Sequence, residues 1–350
     1  MLDSLLSPSL LALVALVLPF VLSLCLGPRL IRILRALKAG QPIRQARQCV
    51  NAPDHAAKVG TPTMGGLLII GSILLTVLLT GKLSNPLVQS CLVVTIVTAA
   101  LGFLDDYAKI TKHSSDGVSG LCKIAIQALA ALGCALYLYI VCPGITQVAV
   151  PFYGVLDIGW LFIPFALLVI IGSSNAVNLT DGLDGLAAGC VAIACVFFLM
   201  LLVLLTEWRM CASLYHGCDQ LGVFLIATLS ACIGFLRFNA HPAKVFMGDT
   251  GSLALGALLG SIAVCSGSAL FLVVLGGVFV AEACSVMIQV GWFKFTRKRY
   301  GEGRRFFRMA PIHHHFEKGG MPETQVVIRF WIATAILGCA AFLLACFRGC

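Results

Sequence analysis

Residues 86–106 have the sequence PLVQSCLVVTIVTAALGFLDD, in which a long apolar run ends in two adjacent aspartates. The segment 86–104 carries no charged side chain, and its length is close to the roughly 20 residues that a helix needs to cross a bilayer. Asp105 and Asp106 follow where such a helix would leave the hydrocarbon. The stretch therefore predicts a membrane-spanning helix with acidic groups at one end.

The same pattern recurs along the chain. Hydrophobic residues make up 59% of the 350 residues and charged residues only 11%, against roughly 25% charged in soluble domains. We therefore predict an all-α, polytopic membrane helix bundle that forms one transmembrane domain over residues 1–350, with about ten transmembrane helices. Nine is the alternative, because the eighth and ninth spans are close together. The predicted spans are 10–27, 64–80, 86–104, 121–141, 159–175, 185–205, 219–238, 251–267, 269–293 and 326–346.

Two features of composition have simple interpretations. Arg29, Arg32 and Arg35 follow the first apolar run and no basic residue precedes it, which favours a retained first helix over a cleaved signal peptide. The 16 cysteines are scattered and form no C-x-x-C pair, so we interpret them as small apolar side chains rather than as metal ligands or disulfides.

The Lys and Arg residues orient the predicted bundle. They concentrate in the loops after the first, third, seventh and ninth spans, whereas the opposite side holds only Lys82, Arg209 and Arg348. Because a Lys/Arg excess marks cytoplasmic loops, we expect both termini on the periplasmic side and the acidic motifs on the cytoplasmic face. Topology alone accounts for this distribution of the net charge of +9, and attraction for an anionic lipid or substrate is the alternative explanation.

Five aspartates lie at the predicted cytoplasmic helix ends. Besides Asp105 and Asp106 they are Asp181 and Asp184 in NLTDGLDG and Asp249 in FMGDTGS. Each could be a solvated helix end or a helix cap. Adjacent carboxylates repel, however, unless a cation lies nearby, and Mg²⁺ prefers carboxylate oxygens and phosphate. A metal held by Asp249 could also reach a phosphate bound at the start of the following helix.

Three further motifs contribute basic, polar or acidic groups. KVGTPTMGG at 58–66 could cradle a phosphate, although it lacks the Gly-Lys-Ser/Thr of a P-loop. In PIHHHFE at 311–317, consecutive helical side chains diverge by about 100°, so we expect one or two histidines to point into a site and another to pack. Glu282 lies within the ninth span, where we favour a structural role over a functional one.

These motifs converge on one membrane face, and together they indicate phosphoryl transfer to or from a lipid. Two other classes stay open. A transporter or flippase would need polar groups through the membrane interior, whereas the spans are nearly free of charge apart from Glu282. A non-enzymatic scaffold would leave the aspartates unexplained.

The motifs resemble those of the bacterial phospho-N-acetylmuramoyl-pentapeptide transferases, in the polyprenyl-phosphate N-acetylhexosamine-1-phosphate transferase superfamily (glycosyltransferase family 4). The resemblance extends from residues 58–66 to 327–331 and includes the Asp105-Asp106 pair, NLTDGLDG, FMGDTGS and PIHHHFE in the same order. The histidine motif is similar to the muramoyl-pentapeptide branch rather than to relatives that transfer GlcNAc-1-phosphate, which remain the runner-up.

The resemblance implies a reaction in the bacterial cytoplasmic (inner) membrane. Undecaprenyl phosphate would attack the sugar-linked phosphate of UDP-MurNAc-pentapeptide, giving UMP and undecaprenyl-diphospho-MurNAc-pentapeptide (lipid I), the first membrane step of peptidoglycan synthesis. The implied partners are these substrates and the bilayer, with no nucleic acid and with a homodimer as a further expectation. Mg²⁺ is the implied cofactor.

The resemblance also assigns roles. Asp249 would bind Mg²⁺, and Asp105 or Asp106 would position or deprotonate the lipid phosphate. Since a second phosphate pKa is near 6, a strong base is not obligatory, and direct attack is favoured over a phospho-aspartate route. The implied catalytic residues are Asp105, Asp106, Asp249 and His314. The implied substrate-binding residues are Lys58, Thr61, Lys109, Lys123, Asn178, Asp181, Asp184, Asn239, Phe246, His313 and His315.

Overall fold

The structure, a computed structural model, describes residues 7–37, 60–112, 117–207 and 218–347, and most of them are helical. The first helices are α1 (Pro8–Ala36), α2 (Gly66–Thr80), α3 (Pro86–Thr111), α4 (Gly120–Val141), α5 (Phe162–Thr180) and α6 (Leu186–Glu207). The later helices are α7 (Cys218–Asn239), α8 (Gly248–Cys265), α9 (Ala269–Leu275), α10 (Gly277–Tyr300), α11 (Ile312–Glu317) and α12 (Glu323–Cys346).

The helices confirm a polytopic helical membrane protein. Within the described ranges, nine helices are long and apolar enough to cross a membrane, namely α1, α3, α4, α5, α6, α7, α8, α10 and α12. Helix α2 is also apolar but has 15 residues, fewer than the roughly 20 that a perpendicular span needs.

Two details differ from the predicted layout. The predicted span 269–293 is divided at Gly276 into the short helix α9 and the long helix α10. Two successive glycines, Gly276 and Gly277, cost helical stability, which explains why the break falls there. The fold is also not purely helical, because an antiparallel hairpin of β1 (Gln147–Val150) and β2 (Gly154–Asp157) precedes α5.

Several helices extend beyond the apolar runs that predicted them. Helix α3 continues to Thr111, seven residues past the predicted end at 104, so Asp105, Asp106 and Lys109 project from a helix rather than from a loop. Helix α10 likewise continues to Tyr300 with basic residues in its last turn. Hydropathy marks the hydrocarbon boundary and not the helix end, because hydrogen bonding continues into polar sequence.

Helix α8 forms the centre of the bundle, packed between α3 and α5 and buried along almost its whole length. Gly102 of α3 permits the close approach, because a Cβ there would lie 2.2 Å from the Asp249 carbonyl oxygen. Polar groups join α8 to α5 and α4, since Gln127 of α4 donates to Ser174 of α5 (2.9 Å), which donates to the Leu253 carbonyl (2.8 Å). The start of α8 is thus held by α3 on one side and by α5 on the other.

Candidate active site

Three carboxylates meet where α3 ends and α8 begins. Asp105 and Asp106 lie near the end of α3, and Asp249 is the second residue of α8. One oxygen of each lies within 4.8 Å of the other two. Asp105 and Asp106 are buried, whereas the side chain of Asp249 is 15% exposed. Asp249 is therefore the member of the cluster that an incoming ligand reaches first.

Two lysines bridge this cluster. Lys109 Nζ lies 2.7 Å from Asp105 Oδ2 and 3.3 Å from Asp249 Oδ2. Lys123, from α4, lies 2.9 Å from Asp105 Oδ1 and 2.7 Å from the same Asp249 oxygen. Both ammonium groups thereby offset the mutual repulsion of the carboxylates. The two predicted substrate-binding lysines thus lie beside the carboxylates.

Asp106 caps the first turn of α8. Its carboxylate accepts from the backbone N–H of Asp249 (3.2 Å), from that of Thr250 (3.0 Å) and from the Thr250 hydroxyl (2.7 Å). Gly248, at φ +75°, is required at this turn, because a Cβ there would lie 2.5 Å from Asp106 Oδ2. Helix N-termini leave N–H groups unpaired, and Asp106 satisfies two of them.

Asn178 connects α5 to the same cluster. Its side-chain amide donates to Asp249 Oδ1 (2.9 Å) and lies 2.8 Å from the Ser252 hydroxyl. The Asp249 carboxylate is therefore held by an amide on one oxygen and by two ammonium groups on the other.

Asp181 follows directly on the end of α5 and is partly exposed. Loss of hydration, together with the negative charges of Asp249 and Asp106, raises the pKa of Asp181 to about 7. The Asp181 side chain is thus electrostatically coupled to the three-carboxylate cluster.

Asp184 belongs to a second cluster, with His241 and Glu323. Asp184 Oδ2 lies 3.1 Å from His241 Nδ1, and its backbone N–H donates to Glu323 Oε1 (2.8 Å). Asn239 braces the same turn by accepting from the Gly185 N–H (3.1 Å) and donating to the Val245 carbonyl (3.0 Å). The sequence predicted Asp184 and Asn239 as substrate-binding residues, and the structure places both in a network that shapes the loops.

The three histidines of α11 have different surroundings, as expected from their divergence around a helix. His313 is buried and lies against Glu282 of α10. His314 is paired with Glu317 at 3.0 Å, and its burial lowers the pKa of His314 below the usual value, which the carboxylate only partly offsets. His315 accepts from the Arg308 N–H (3.1 Å) and packs edge-on against Phe307.

Two further predicted residues, Thr61 and Phe246, lie on paired segments that precede α2 and α8. Lys58 lies outside the described residues. Thr61 is partly buried beside Pro62, whose carbonyl accepts from the Phe246 N–H (2.8 Å). The Phe246 carbonyl in turn accepts from the Gly65 N–H (2.8 Å). These backbone bonds hold the two predicted substrate-binding segments side by side, next to Asp249.

The chemistry of the donors suits a hard divalent cation. Carboxylate oxygens are the protein ligands that Mg²⁺ prefers, and it is usually held by one or two of them together with water and phosphate. Both Asp106 oxygens already accept hydrogen bonds from α8. Asp249, partly exposed and close to Asp105, is therefore the residue of this cluster best placed to hold a metal, and its metal role stays a prediction.

Sequence reasoning missed several partners in this region. Glu282 was singled out, but its pairing with His313, 31 residues away, was not. His241 and Glu323 were not selected, and neither was Thr250 as a partner of Asp106. His241 was visible as a histidine in the short link between α7 and α8, close in sequence to Asp249. Glu323 carried no such signal.

Two sequence models of known proteins match this chain. Residues 88–267, which include Asp105, Asp181 and Asp249, match the sequence model described as Glycosyl transferase family 4. Residues 58–70 match signature 1 of the phospho-N-acetylmuramoyl-pentapeptide-transferases.

Relatives match over nearly the whole chain. A phospho-N-acetylmuramoyl-pentapeptide-transferase of Desulfotalea psychrophila is 46% identical over 91% of this chain and 88% of its own length. Those of Desulfovibrio desulfuricans and Thermodesulfovibrio yellowstonii are 42% and 43% identical, each over 93% of this chain and 90% of the relative. The chain belongs to the phospho-N-acetylmuramoyl-pentapeptide-transferase family, which confirms the resemblance that the motifs carried.

Proposed function

We propose that this protein transfers phospho-MurNAc-pentapeptide from UDP-MurNAc-pentapeptide to undecaprenyl phosphate, giving lipid I and UMP. The name of the relatives supports a transferase of this group. The structural observation that carries the proposal is the convergence of three carboxylates and two lysines at one end of a bundle of apolar helices. Such a site offers metal ligands and cations for phosphates at the place where a lipid phosphate would lie.

The proposed reaction takes place at the cytoplasmic face of the bacterial inner membrane, with both termini on the periplasmic side. Helices α1, α3, α7 and α10 each carry a basic residue in the last turn. Helix α3 ends at the site, and a Lys/Arg excess at helix ends marks the cytoplasmic side. The basic ends of these helices therefore support a cytoplasmic active site.

In the proposed mechanism Asp249, with Asp105 beside it, would hold Mg²⁺. When bound, the ion would offset the negative charge of the substrate phosphates and of the carboxylates. The chain's own cations have a parallel role. Lys109 and Lys123 contact both Asp105 and Asp249, so they are already directed to the place where phosphate oxygens would enter.

The chemical step exchanges one phosphorus–oxygen bond for another. A terminal oxygen of undecaprenyl phosphate forms a bond to the sugar-linked phosphorus, and the bond from that phosphorus to the UMP oxygen breaks, with its electron pair leaving on UMP. The acceptor phosphate is already mostly dianionic at pH 7, because its second pKa is near 6. The protein therefore needs to position and neutralise charge more than to remove a proton.

The hydrogen bonding of the paired aspartates favours direct attack over a phospho-aspartate intermediate. Asp105 has Lys123 and the Val118 N–H on one oxygen and Lys109 on the other. Asp106 has N–H or hydroxyl donors on both oxygens. A carboxylate with both oxygens engaged is a poor nucleophile, so the same residues are better suited to hold the lysines and α8 in place.

The remaining residues are proposed to bind the donor substrate. Asn178 and Asn239 lie at the ends of α5 and α7, Asp181 and Asp184 lie in the loop after α5, and Thr61 and Phe246 lie on the adjoining segments. Lys58 and the α11 histidines complete this proposed set. It would hold the uridine and the diphosphate while the sugar-linked phosphorus faces the lipid.

The decisive experiment measures UMP release by the purified protein with undecaprenyl phosphate and Mg²⁺. We expect release from UDP-MurNAc-pentapeptide and formation of a lipid-linked product. Release from UDP-GlcNAc instead would assign the protein to the GlcNAc-1-phosphate branch, and no release from either would contradict the proposal. Labelled phospho-sugar trapped on the protein in the absence of lipid acceptor would replace direct attack by the covalent route.

A further inference from the structure

A buried carboxylate–imidazole pair lies next to the proposed donor-binding loop. Glu282 is in the second turn of α10, just after the break at Gly276, and His313 is on α11. Glu282 Oε1 lies 3.0 Å from His313 Nδ1, and both side chains are fully buried. A charged or polar side chain is seldom buried completely without a specific partner, and these two residues supply one another's.

The pair leaves one ring nitrogen unused. His313 Nε2 has no hydrogen-bond partner among the described residues. This atom lies under Gly182, since a Cβ added there would stand 2.2 Å from Nε2, and Gly182 itself is exposed. Among the described residues, Nε2 thus lies against a backbone without a side chain, one residue from Asp181.

The contact with Glu282 fixes which nitrogen faces the loop. A carboxylate at Nδ1 accepts a hydrogen there, holds the plane of the ring and directs Nε2 away from itself. An arrangement of this kind, in which one nitrogen is anchored and the other is buried without a partner, is typical of histidines that contact a ligand. A purely structural pair would leave Nε2 bonded within the fold.

We propose that Glu282 is a positioning residue that holds His313 so that Nε2 contacts the diphosphate of the donor substrate. The proposal rests on the proposed function and deepens it. The anionic phosphate oxygen is the missing partner of Nε2, which lies against the Gly182 backbone, where the glycine has no side chain to cover it. In the proposed bound state the ring would donate Nδ1–H to Glu282 and Nε2–H to phosphate.

Variants at position 313 separate this role from simple bracing. His313→Asn retains a donor near the position of Nδ1, where it can still meet Glu282, but lacks an equivalent of Nε2. We expect this variant to remain folded and to lose kcat/KM for the UDP-linked donor by roughly 100-fold, the scale of losing one preorganised hydrogen-bond donor to an anionic oxygen. If the Glu282–His313 pair only stabilised the fold, kcat/KM of the folded His313→Asn variant would equal that of the wild type.

The Glu282→Gln variant tests the positioning residue itself. We expect a comparable loss of kcat/KM for the donor, with KM for undecaprenyl phosphate unchanged, and no further loss when it is combined with His313→Asn, because the two residues act as one unit. Glu302→Gln, which removes the same charge from an exposed loop, is the matched control and should keep full activity. A Glu282→Gln enzyme within twofold of wild type would overturn the proposal.

A spectroscopic measurement on the wild-type protein decides the case even if Glu282→Gln fails to fold. With [15N]histidine labelling, the seven histidines give ring-nitrogen signals, and His313 is assigned by its absence in His313→Asn. Adding UDP-MurNAc-pentapeptide without lipid acceptor should shift the Nε2 signal, and an unchanged signal with bound donor would overturn the proposal. This measurement needs only binding of the donor, so it remains valid if the wild type releases no UMP. Absence of UMP release would count against the proposed function and not against the role of Glu282 and His313.

Discussion

Asp249 is the residue on which most of the site's contacts converge. Its two oxygens contact Asn178, Lys109 and Lys123, and its backbone N–H is held by Asp106. Three helices, α3, α4 and α5, thereby fix one carboxylate of α8, which still remains 15% exposed. The side chain is rigidly placed and accessible, as a metal ligand must be.

Removing the charge of Asp249 should abolish turnover without unfolding the protein. Asp249→Asn keeps the size of the side chain and its contact with Asn178 but loses the anionic oxygen that would hold Mg²⁺. We expect kcat to fall by at least about 100-fold, the scale of losing one preorganised electrostatic group. The measurement is UMP release in detergent, and size-exclusion chromatography checks the fold.

The matched control is Asp157→Asn, on the exposed hairpin strand β2. It removes an equal charge outside the site and should leave turnover unchanged. An Asp249→Asn enzyme that retained more than a tenth of wild-type activity would exclude the metal role. Chelation of the wild type with EDTA should reproduce the loss, and added Mg²⁺ should reverse it.

Asp181 predicts a pH dependence of stability. Its pKa of about 7 lies above the usual 3.8, so ionised Asp181 is disfavoured in the fold. The fold therefore has its full stability below about pH 4, where Asp181 is neutral in the folded and the unfolded state. Part of that stability is lost as the pH rises from about 4 through 7. Asp181→Asn removes this dependence and should therefore raise Tm more at pH 8 than at pH 5.

Thermal unfolding in detergent with EDTA tests this prediction at both pH values. EDTA is needed because a bound cation would stabilise the ionised carboxylates and mask the effect. An equal change in Tm at pH 5 and pH 8 would show that Asp181 does not titrate in this range.

At the scale of the element, the junction of α3 and α8 depends on the cap that Asp106 provides. Thr250→Val removes the hydroxyl that donates to Asp106 Oδ2 at 2.7 Å but keeps the shape of the side chain. Because the carboxylate is buried, losing one donor should lower the free energy of unfolding by about 1–3 kcal/mol. Thr250→Ser keeps the hydroxyl and serves as the comparison.

The two Thr250 variants are compared by chemical or thermal denaturation in the same detergent. Thr250→Ser should lie closer to the wild type than Thr250→Val does. The reverse order would indicate that the threonine methyl group, and not the hydrogen bond to Asp106, stabilises this turn.

Helix boundaries show what sequence alone could and could not predict. The apolar runs located the helices well, because burial in lipid requires apolar side chains over a fixed length. They did not locate helix ends such as that of α3 at Thr111 or the break at Gly276, because polar sequence continues a helix and a glycine pair is only weakly unfavourable. The hairpin at 147–157 was missed because its strands are four residues long.

In the site, too, some features were predictable from the sequence and others were not. Aspartates at helix ends were recognised from their chemistry, and the structure brings Asp105, Asp106 and Asp249 together. Pairings across the bundle were not predictable, because Lys123 with Asp249 and Glu282 with His313 are separated by 126 and 31 residues. Such contacts depend on how helices pack, which a single sequence does not determine.

At the scale of the whole molecule, the proposed orientation gives a direct test. The hairpin turn at 151–153 should lie in the periplasm, and the loop at 301–311 in the cytoplasm. A specific protease site inserted at either place should be cut only from the corresponding side of right-side-out or inside-out vesicles. Cleavage of both sites from one side would contradict the topology, and cleavage with reversed sidedness would contradict the proposed location of the active site.

The burial of α8 also bears on how the protein is made. Its sequence is among the least hydropathic of the candidate spans, and nearly every residue of the helix is covered by neighbours. A segment of this kind gains little from contact with lipid when it leaves the ribosome. Its partners α3 and α5 are synthesised earlier, so they are available to receive it. The Asp249 carboxylate at its head would then meet its partners only after most of the surrounding bundle is in place, which delays formation of the proposed active site until late in biogenesis.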